Sequence, residues 1–263
     1  MRIPYYQVDA FAARTFGGNP AGVCVLESWL PDDILQHIAA ENNLAETAFF
    51  TRQEDYYHLR WFSPLMEVDL CGHVTLATAF VLYSELGCTD QNIRFHTRSG
   101  WLAAARRGNV IELDFPARPP VSCCAPDELL RGLGRKPREV LKSRDFVAVY
   151  DSQAEVAALT PDMALLAQLD CLGVIVTARG EDADFVSRFF APRAGIPEDP
   201  VTGSSHSSLI PFWAERLGKT ELFARQISRR GGELYCRYAG ERVAIAGRAV
   251  IYCRGELEIP TAS

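Results

Sequence analysis

The sequence has no long apolar run and no concentration of charge of one sign. Its 263 residues include 27 Lys and Arg against 33 Asp and Glu, which gives a net charge of −6. Nucleic-acid binding requires clustered basic side chains, and the one basic run, Arg229 and Arg230 with Arg225 nearby, is short. A membrane-spanning helix needs about 20 consecutive apolar residues, which the chain does not offer. We therefore expect neither a nucleic-acid partner nor a membrane partner.

Two further patterns are missing, those of a signal peptide and of a zinc site. The N-terminus, MRIPYYQVD, lacks the continuous apolar stretch that directs secretion, so we expect a cytoplasmic protein. The eight cysteines are not arranged in the C-x-x-C pairs that are typical of structural zinc. Most of them are expected to be buried, reduced thiols, and no metal site is predicted.

Short strand-like segments alternate with a few helices along the chain. Residues 3–11 and 21–26 have strand patterns on either side of the turn Gly17-Gly18-Asn19-Pro20, which predicts a hairpin. Two mostly apolar helices are predicted, one from Gly72 to Leu86 and one from about Gly203 to Leu217. Residues 116–126 are rich in Pro and Cys and are typical of a linker.

The two halves of the chain carry the same succession of motifs. Residues 60–64 (RWFSP) are followed by Cys71 and the first apolar helix, and residues 188–192 (RFFAP) are followed by Asp199 and the second. A helix that is apolar nearly all round is expected to be buried. We therefore predict an α+β fold with two pseudo-symmetric lobes. Each lobe is a curved, mainly antiparallel sheet wrapped around a central helix, as in diaminopimelate epimerase.

The expected lobe boundary lies in the Pro-rich segment. The N-terminal lobe covers residues 1–118 and the C-terminal lobe residues 119–263, with the last strand free to return to the first lobe. Paired lobes place ligands at their interface, so the sequence predicts a binding cleft between the two lobes.

Both apolar helices begin at segments that suit an anion. The first turn of a helix has free N–H groups and the positive end of the helix dipole, and such ends bind carboxylates or phosphates. Gly72-His73 and Gly203-Ser204 occupy these positions. Ordinary capping by Thr75, Thr202 or Ser204 explains the same pattern, so the spacing alone leaves both interpretations open.

Four side chains near these helix starts could take part in proton chemistry. Glu46 precedes an apolar strand, where burial would raise its pKa toward neutrality, although the pattern by itself favours a solvated Glu at a strand entry. A neutral His73 could donate or accept a hydrogen bond at its helix start. Asp199 could cap a helix or bind a substrate amine or hydroxyl. Cys71 is either an activated thiol or a buried one.

Taken together, these segments resemble the PhzF-like (phenazine biosynthesis) family, whose fold is shared with diaminopimelate epimerase. The resemblance covers nearly the whole chain in order. It rests on residues 8–11 with 18–23, 43–49 (NLAETAF), 71–77 (CGHVTLA), 198–204 (EDPVTGS), 231–234 and 245–250.

The resemblance implies an isomerase of EC class 5 that needs neither a metal nor an organic cofactor. By this analogy Glu46 is the catalytic acid–base in the inter-lobe cleft, and it removes a proton from one carbon of a small carboxylate substrate and returns it elsewhere. The residues expected to bind the substrate are Gly72, His73, Asp199, Gly203 and Ser204. Relatives are often homodimers, so a homodimer is expected.

Two alternatives remain open. The first is a Cys-dependent amino-acid epimerase or racemase, with Cys71 opposed by Asp199 or Glu46. The epimerase relatives use two opposed thiols, and Asp199 stands where the second thiol would be, which disfavours a two-thiol mechanism. The second alternative is a non-catalytic protein that binds a small carboxylate through the same helix starts.

Overall fold

The computed structural model describes residues 1–259. The chain forms two compact units, the first made of Met1–Asp114 together with the segment that begins at Ala246, and the second made of Phe115–Ile245. Among the helices of residues 1–259, none is both long enough and apolar enough to span a membrane.

The elements follow one another in an alternation of strands and short helices. Up to residue 116 they are β1 (Arg2–Ala10), β2 (Asn19–Leu26), α1 (Asp32–Asn42), β3 (Glu46–Arg52), β4 (Tyr57–Phe62), β5 (Glu67–Val68), α2 (Gly72–Ser84), β6 (Asn92–Thr97), β7 (Gly100–Arg107) and β8 (Val110–Pro116). After it they are β9 (Val121–Ser122), α3 (Asp127–Leu133), β10 (Glu139–Lys142), β11 (Phe146–Val149), α4 (Gln153–Ala157), α5 (Met163–Leu166), β12 (Val174–Arg179), β13 (Phe185–Ala191), a 3-10 turn (Pro192–Ala194), β14 (Ile196–Asp199), α6 (Gly203–Leu217), β15 (Glu221–Gln226), β16 (Gly232–Ala239), β17 (Arg242–Gly247) and β18 (Ala249–Glu258).

Both units repeat one strand-pairing scheme. In the first unit β1 is antiparallel to β2, β2 is parallel to β3, β3 is antiparallel to β4, and β4 is parallel to β6. In the second unit the pairs β10–β11, β11–β12, β12–β13 and β13–β15 have the same four orientations in the same order. The motif repeat in the sequence therefore corresponds to a repeat in topology, and the predicted α+β fold is confirmed.

The first unit is completed by the end of the chain. Strand β18 runs antiparallel to β1 from Arg2 opposite Glu258 to Ala10 opposite Ala249, with an irregularity after Gln7. Helix α2 packs against β1, β2 and β3 and is buried on nearly every side. An apolar helix without a polar face can be stable only in such a setting, which is why the sequence pattern identifies it as central.

Helix α6 is the corresponding buried helix of the second unit. It packs against β15 and β16, and it remains continuous through Pro211. The indole of Trp213 stacks on Phe185 with ring centroids 5.8 Å apart, and its Nε1 donates to Thr177 Oγ1 at 3.0 Å. The one polar atom of this large buried ring is thereby satisfied, as burial of an indole requires.

Candidate active site

A thiol, an imidazole and a carboxylate come together at the start of α2. Cys71 is the N-cap residue, with an extended backbone (φ −141°, ψ 109°), and its carbonyl accepts from Thr75 N and from Thr75 Oγ1 at 3.2 and 2.6 Å. The Cys71 Sγ atom lies 3.4 Å from Nδ1 of His73. The other ring nitrogen, Nε2, lies 3.3 Å from Oε2 of Glu46. The imidazole therefore lies between the thiol and the carboxylate.

Glu46 reaches this position through the sheet. It is the first residue of β3, which pairs in parallel with β2 so that Glu46 stands opposite Ala21. Helix α2 packs against both strands, and this packing brings the first turn of α2 close to the first residue of β3. The predicted residues Glu46, Gly72 and His73 are thus neighbours in the first unit, and Cys71 joins them.

Burial determines the protonation state of His73. Its side chain is 6% exposed and that of Glu46 is 14% exposed. Burial lowers the pKa of His73 to about 3, because a charged imidazolium loses its hydration there. The ring is therefore neutral at pH 7, with one nitrogen as a donor and the other as an acceptor.

Cys71, His73 and Glu46 also have side chains that can bind a metal ion. Within residues 1–259 they form the one such group, and one ligand atom from each lies within 4.8 Å of the others. Zinc would suit a thiolate, an imidazole and a carboxylate, with bonds of about 2.0–2.3 Å. However, the two short contacts go to opposite nitrogens of His73, and an ion could use only one of them. The observed arrangement is a row of three polar groups with the imidazole in the middle.

The predicted residues of the second unit surround the start of α6. Asp199 ends β14, Thr202 is the N-cap, and Gly203 is the first helical residue. Thr202 Oγ1 donates to Asp199 Oδ2. Asp199 therefore lies three residues before the N-cap of α6, whereas Cys71 is itself the N-cap of α2. The two residues thus stand at different distances from their helices, because the second turn is longer.

Gln226 holds this turn in place. The side chain is 1% exposed. Its Oε1 accepts from Thr202 N at 2.8 Å, and its Nε2 donates to Asp199 O at 2.7 Å. The sequence analysis did not identify Gln226 as part of the site. The available signal was a polar side chain at an inward-facing position of β15, whose other buried residues are Leu222 and Ala224.

We expect Gln226→Leu to lower the free energy of unfolding by about 2 kcal/mol, because it leaves the buried Thr202 N–H without its acceptor. Urea unfolding measures the change. A matched control is Gln168→Leu, since Gln168 is exposed on the same unit and makes one long hydrogen bond of 3.3 Å; we expect a change within about 0.5 kcal/mol. Equal effects of the two substitutions would contradict the role given to Gln226.

Ser204 contacts a cation that the sequence analysis did not identify. Arg144 Nη2 donates to Ser204 Oγ at 3.2 Å and to Asp145 Oδ2 at 2.9 Å. Asp145 is buried, and its other carboxylate oxygen accepts from Gly173 N at 3.1 Å. The guanidinium therefore sits beside the first turn of α6, with its charge paired by the Asp145 carboxylate.

His206 is a second buried, neutral imidazole. Its Nδ1 lies 2.8 Å from Thr202 O, and Ser205 Oγ donates to the same carbonyl at 2.8 Å. Burial lowers the pKa of His206 to about 4. The ring thus supports the first turn of α6 from inside the second unit.

We expect the free energy of unfolding to fall as the pH is lowered from about 6.5 toward 4. An unfolded His has a pKa of about 6.5, so it becomes protonated in this range, whereas folded His206 and His73 stay neutral. The unfolded chain therefore binds more protons than the folded chain, and stability falls with decreasing pH. Each residue contributes up to about 1.4 kcal/mol per pH unit. Urea unfolding at pH 7 and pH 5 should show a smaller loss in His206→Asn than in the wild type. An identical loss in both would contradict the neutral assignment.

Comparisons with known proteins identify the family. Residues 8–255 match the PhzC-PhzF family, described as phenazine biosynthesis-like protein. The uncharacterized isomerase PA2770 of Pseudomonas aeruginosa is 53% identical over 98% of this chain and 100% of its own, and the uncharacterized isomerase BH0283 of Halalkalibacterium halodurans is 47% identical over 98% and 99%. The crystal structure of a PhzF family phenazine biosynthesis protein from Enterococcus faecalis superposes with a TM-score of 0.97 at 47% identity, over 98% of this chain and 100% of that one. With this fold, coverage and identity, the chain belongs to the PhzC-PhzF family and is an isomerase.

Proposed function

We propose that this isomerase moves a proton from one position to another on a small carboxylate-bearing substrate, with Glu46 as the general acid–base and with neither a metal nor an organic cofactor. The observation that carries the proposal is the contact of 3.3 Å between Glu46 Oε2 and His73 Nε2, at the first turn of a buried helix. A carboxylate and a hydrogen-bond donor stand side by side there, mostly shielded from water.

The choice of Glu46 as the base follows from the state of His73. A base with a pKa of about 3 is protonated to only about one part in ten thousand at pH 7, so His73 is a poor proton acceptor. General acid–base catalysis works best with a group whose pKa is near the working pH. His73 is better suited to donate a hydrogen bond, either to Glu46 or to negative charge that develops on the substrate.

Each helix start is by itself suited to bind the carboxylate of the substrate. The first turn of α2, at Gly72 and His73, offers backbone N–H groups at the positive end of a helix dipole. The first turn of α6, at Gly203 and Ser204, offers the same groups with Arg144 beside them. Proton removal from carbon requires stabilisation of the negative charge that develops, and groups of this kind are suited to that task.

Asp199 is proposed to orient the substrate. Its carboxylate accepts from Thr202 Oγ1, and its carbonyl accepts from the buried Gln226. A carboxylate held in this way has a fixed direction, which suits a hydrogen bond to a substrate amine or hydroxyl.

A Cys-dependent epimerase remains the second candidate, because the Cys71 thiol lies in the same row of groups, 3.4 Å from His73. The two candidates differ in the group that touches the substrate carbon. Alkylation of Cys71 would abolish proton exchange in the second candidate while Glu46→Gln remained active.

The proposal is tested by incubating the protein with small amino, hydroxy and unsaturated carboxylic acids in deuterated water and measuring their mass. We expect at least one of these acids to gain deuterium catalytically, at a rate unchanged after dialysis against a strong chelator. Loss of exchange on chelation and its return with an added metal ion would contradict the cofactor-free part of the proposal. Exchange into none of the acids, with saturable binding retained, would favour a binding protein.

A further inference from the structure

The indole of Trp61 is buried in the first unit without a partner for its one polar atom. The residue is 1% exposed, and no group within residues 1–259 accepts a hydrogen bond from its Nε1. By contrast, Nε1 of Trp213 donates to Thr177 Oγ1 at 3.0 Å. Buried polar groups are nearly always hydrogen-bonded, and the N–H of a buried indole usually finds an acceptor. A buried indole N–H without an acceptor in the protein therefore requires an explanation.

Trp61 lies on the same face of its sheet as Glu46. The Glu46 carboxylate contacts His73 of α2, so its side chain lies on the face toward α2, and the alternation of side chains along β3 places Ala48 on that face too. Trp61 is the residue of β4 directly opposite Ala48, and residues opposite each other in an antiparallel pair share a face. Glu46 and Trp61 are therefore diagonal neighbours, separated by about 7–8 Å, a span that long and aromatic side chains can bridge.

The strand on the other side of Trp61 leads to the start of α2. Val68 of β5 is opposite Trp61, and Cys71, the N-cap residue of α2, follows three residues later. Strand β4 thus lies between the strand that begins with Glu46 and the segment that leads into the first turn of α2. Strand pairing therefore places the indole beside the candidate active site.

A second polar atom of this site is in the same state. Nε2 of His73 is buried, and although it lies 3.3 Å from Glu46 Oε2, it makes no hydrogen bond within residues 1–259. Leaving a buried polar atom unsatisfied costs stability, so two such atoms beside one carboxylate indicate hydrogen bonds that a ligand completes. The Glu46 side chain is 14% exposed, and the site is open to solvent at this carboxylate.

We propose that Trp61 is a substrate-binding residue, whose Nε1–H donates to a carboxylate oxygen of the substrate. An indole N–H can only donate, so its ligand must supply an acceptor. A neutral donor also binds the oxygen without placing a positive charge beside Glu46, which would lower the pKa of that carboxyl and make it a weaker base. The position of the oxygen next to the reacting carbon rests on the function proposed for Glu46, whereas the hydrogen bond to a carboxylate does not.

Trp61→Phe keeps an aromatic ring and removes the donor. Alanine, lactate and crotonate serve as probes, since they are an amino, a hydroxy and an unsaturated carboxylic acid. We expect Trp61→Phe to raise the Kd of the acid that binds most tightly by about 10- to 100-fold, the scale of a hydrogen bond to a charged acceptor. An unchanged Kd in this variant would overturn the proposal.

The matched control is Trp29→Phe. Trp29 belongs to the same unit, and its Nε1 already donates to His58 Nδ1 at 3.2 Å. His58 is three residues before Trp61 on β4, so its side chain lies on the opposite face of the sheet. We expect Trp29→Phe to leave the Kd within about twofold of the wild-type value, as for a residue that shares no partner with the site.

The direct test is the 1H–15N spectrum of the indole groups of the four tryptophans. The signal of Trp61 is assigned from its loss in Trp61→Phe, or by elimination from the three other Trp→Phe variants if that variant does not fold. We expect the proton of Trp61 Nε1–H to move downfield when at least one of the three acids is added, because it is then donated to a charged oxygen. The signal of Trp29 should not move.

A Trp61 signal that does not move with any of the acids would overturn the proposal, as would a hydrogen bond from Nε1 to a buried water that persists in the bound state. The titration does not depend on turnover. Activity remaining in Glu46→Gln would reject the proposed function, while a Trp61 shift retained in that variant would still support the donor.

Discussion

Replacing Glu46 with Gln should lower kcat by at least about 100-fold, the usual scale for a positioned general acid–base. Gln has the size of Glu and keeps an oxygen atom beside His73 Nε2, but it cannot take up a proton at neutral pH. Glu46 is held at the start of β3 by its strand pairing, so the backbone should be unaffected. Turnover assays, together with measurements of urea unfolding and ligand binding, would show whether the substitution affects only the chemical step.

A matched control is Glu41→Gln. Glu41 belongs to α1 of the same unit and is exposed, so its substitution changes the net charge equally and should leave kcat within about twofold, as surface substitutions usually do. Glu46→Asp retains a carboxylate on a shorter side chain, and its rate should lie between those of the wild type and Glu46→Gln. Turnover by Glu46→Gln at the wild-type rate would mean that Cys71 or Asp199, and not Glu46, is the acid–base.

Replacing Gly18 with Ala should lower the free energy of unfolding by about 2–5 kcal/mol. Gly18 has a φ of +62°, and a Cβ atom there would lie 2.1 Å from the backbone oxygen of Ala10 and 2.8 Å from Cβ of Ala12. A backbone oxygen within β1 cannot move away without breaking the pairing of β1 with β2. The turn that Gly18 closes leads directly into β2, the strand that positions Glu46, so we also expect a loss of activity.

Gly108→Ala separates the cost of the positive φ from the cost of the steric clash with Ala10. Gly108 has a φ of +61°, and a Cβ atom there would meet nothing within 4 Å. Its substitution should therefore cost only the left-handed backbone penalty of about 1–2 kcal/mol. Urea unfolding of both variants under the same conditions gives the comparison. Equal losses would mean that the close approach to Ala10 has no energetic weight.

The parts of the fold that could be predicted are those with a strong local signal. The helix from Gly203 to Leu217 has the predicted bounds, and the helix from Gly72 ends at Ser84, two residues before the predicted end. The helix from Gly72 is apolar nearly all round, so its burial can be expected from its composition. The helix from Gly203 has a Ser-rich first half and an apolar second half, so composition is a weaker signal there. Between residues 116 and 126, predicted as a linker, the structure has the short strand β9, and α3 begins directly afterwards. The short helix α5 (Met163–Leu166) has no comparable signal, because elements of this length depend on packing more than on sequence pattern.

The same distinction applies to the site. The segment with Glu46 and the segment with His73 stand out as motifs, and the structure brings the two side chains within 3.3 Å. Gln226 and Arg144 could not be predicted, because their contacts with Thr202 and Ser204 span 24 and 60 positions of the chain and arise only from strand pairing in the second unit. The position of Cys71 could be predicted, but its contact with Nδ1 could not, since that contact depends on the rotamer of a buried ring.

The most direct test of the central claim is the incorporation of solvent deuterium into product, measured by mass spectrometry for the wild type and for Glu46→Gln on the same substrate. A proton that resides on a carboxylate during transfer can exchange with solvent, so product formed by the wild type in deuterated water should carry deuterium at the carbon that receives the proton. Glu46→Gln, although folded and still able to bind the substrate, should incorporate none above the uncatalysed background. Incorporation at the same rate and at the same carbon by both proteins would contradict the account.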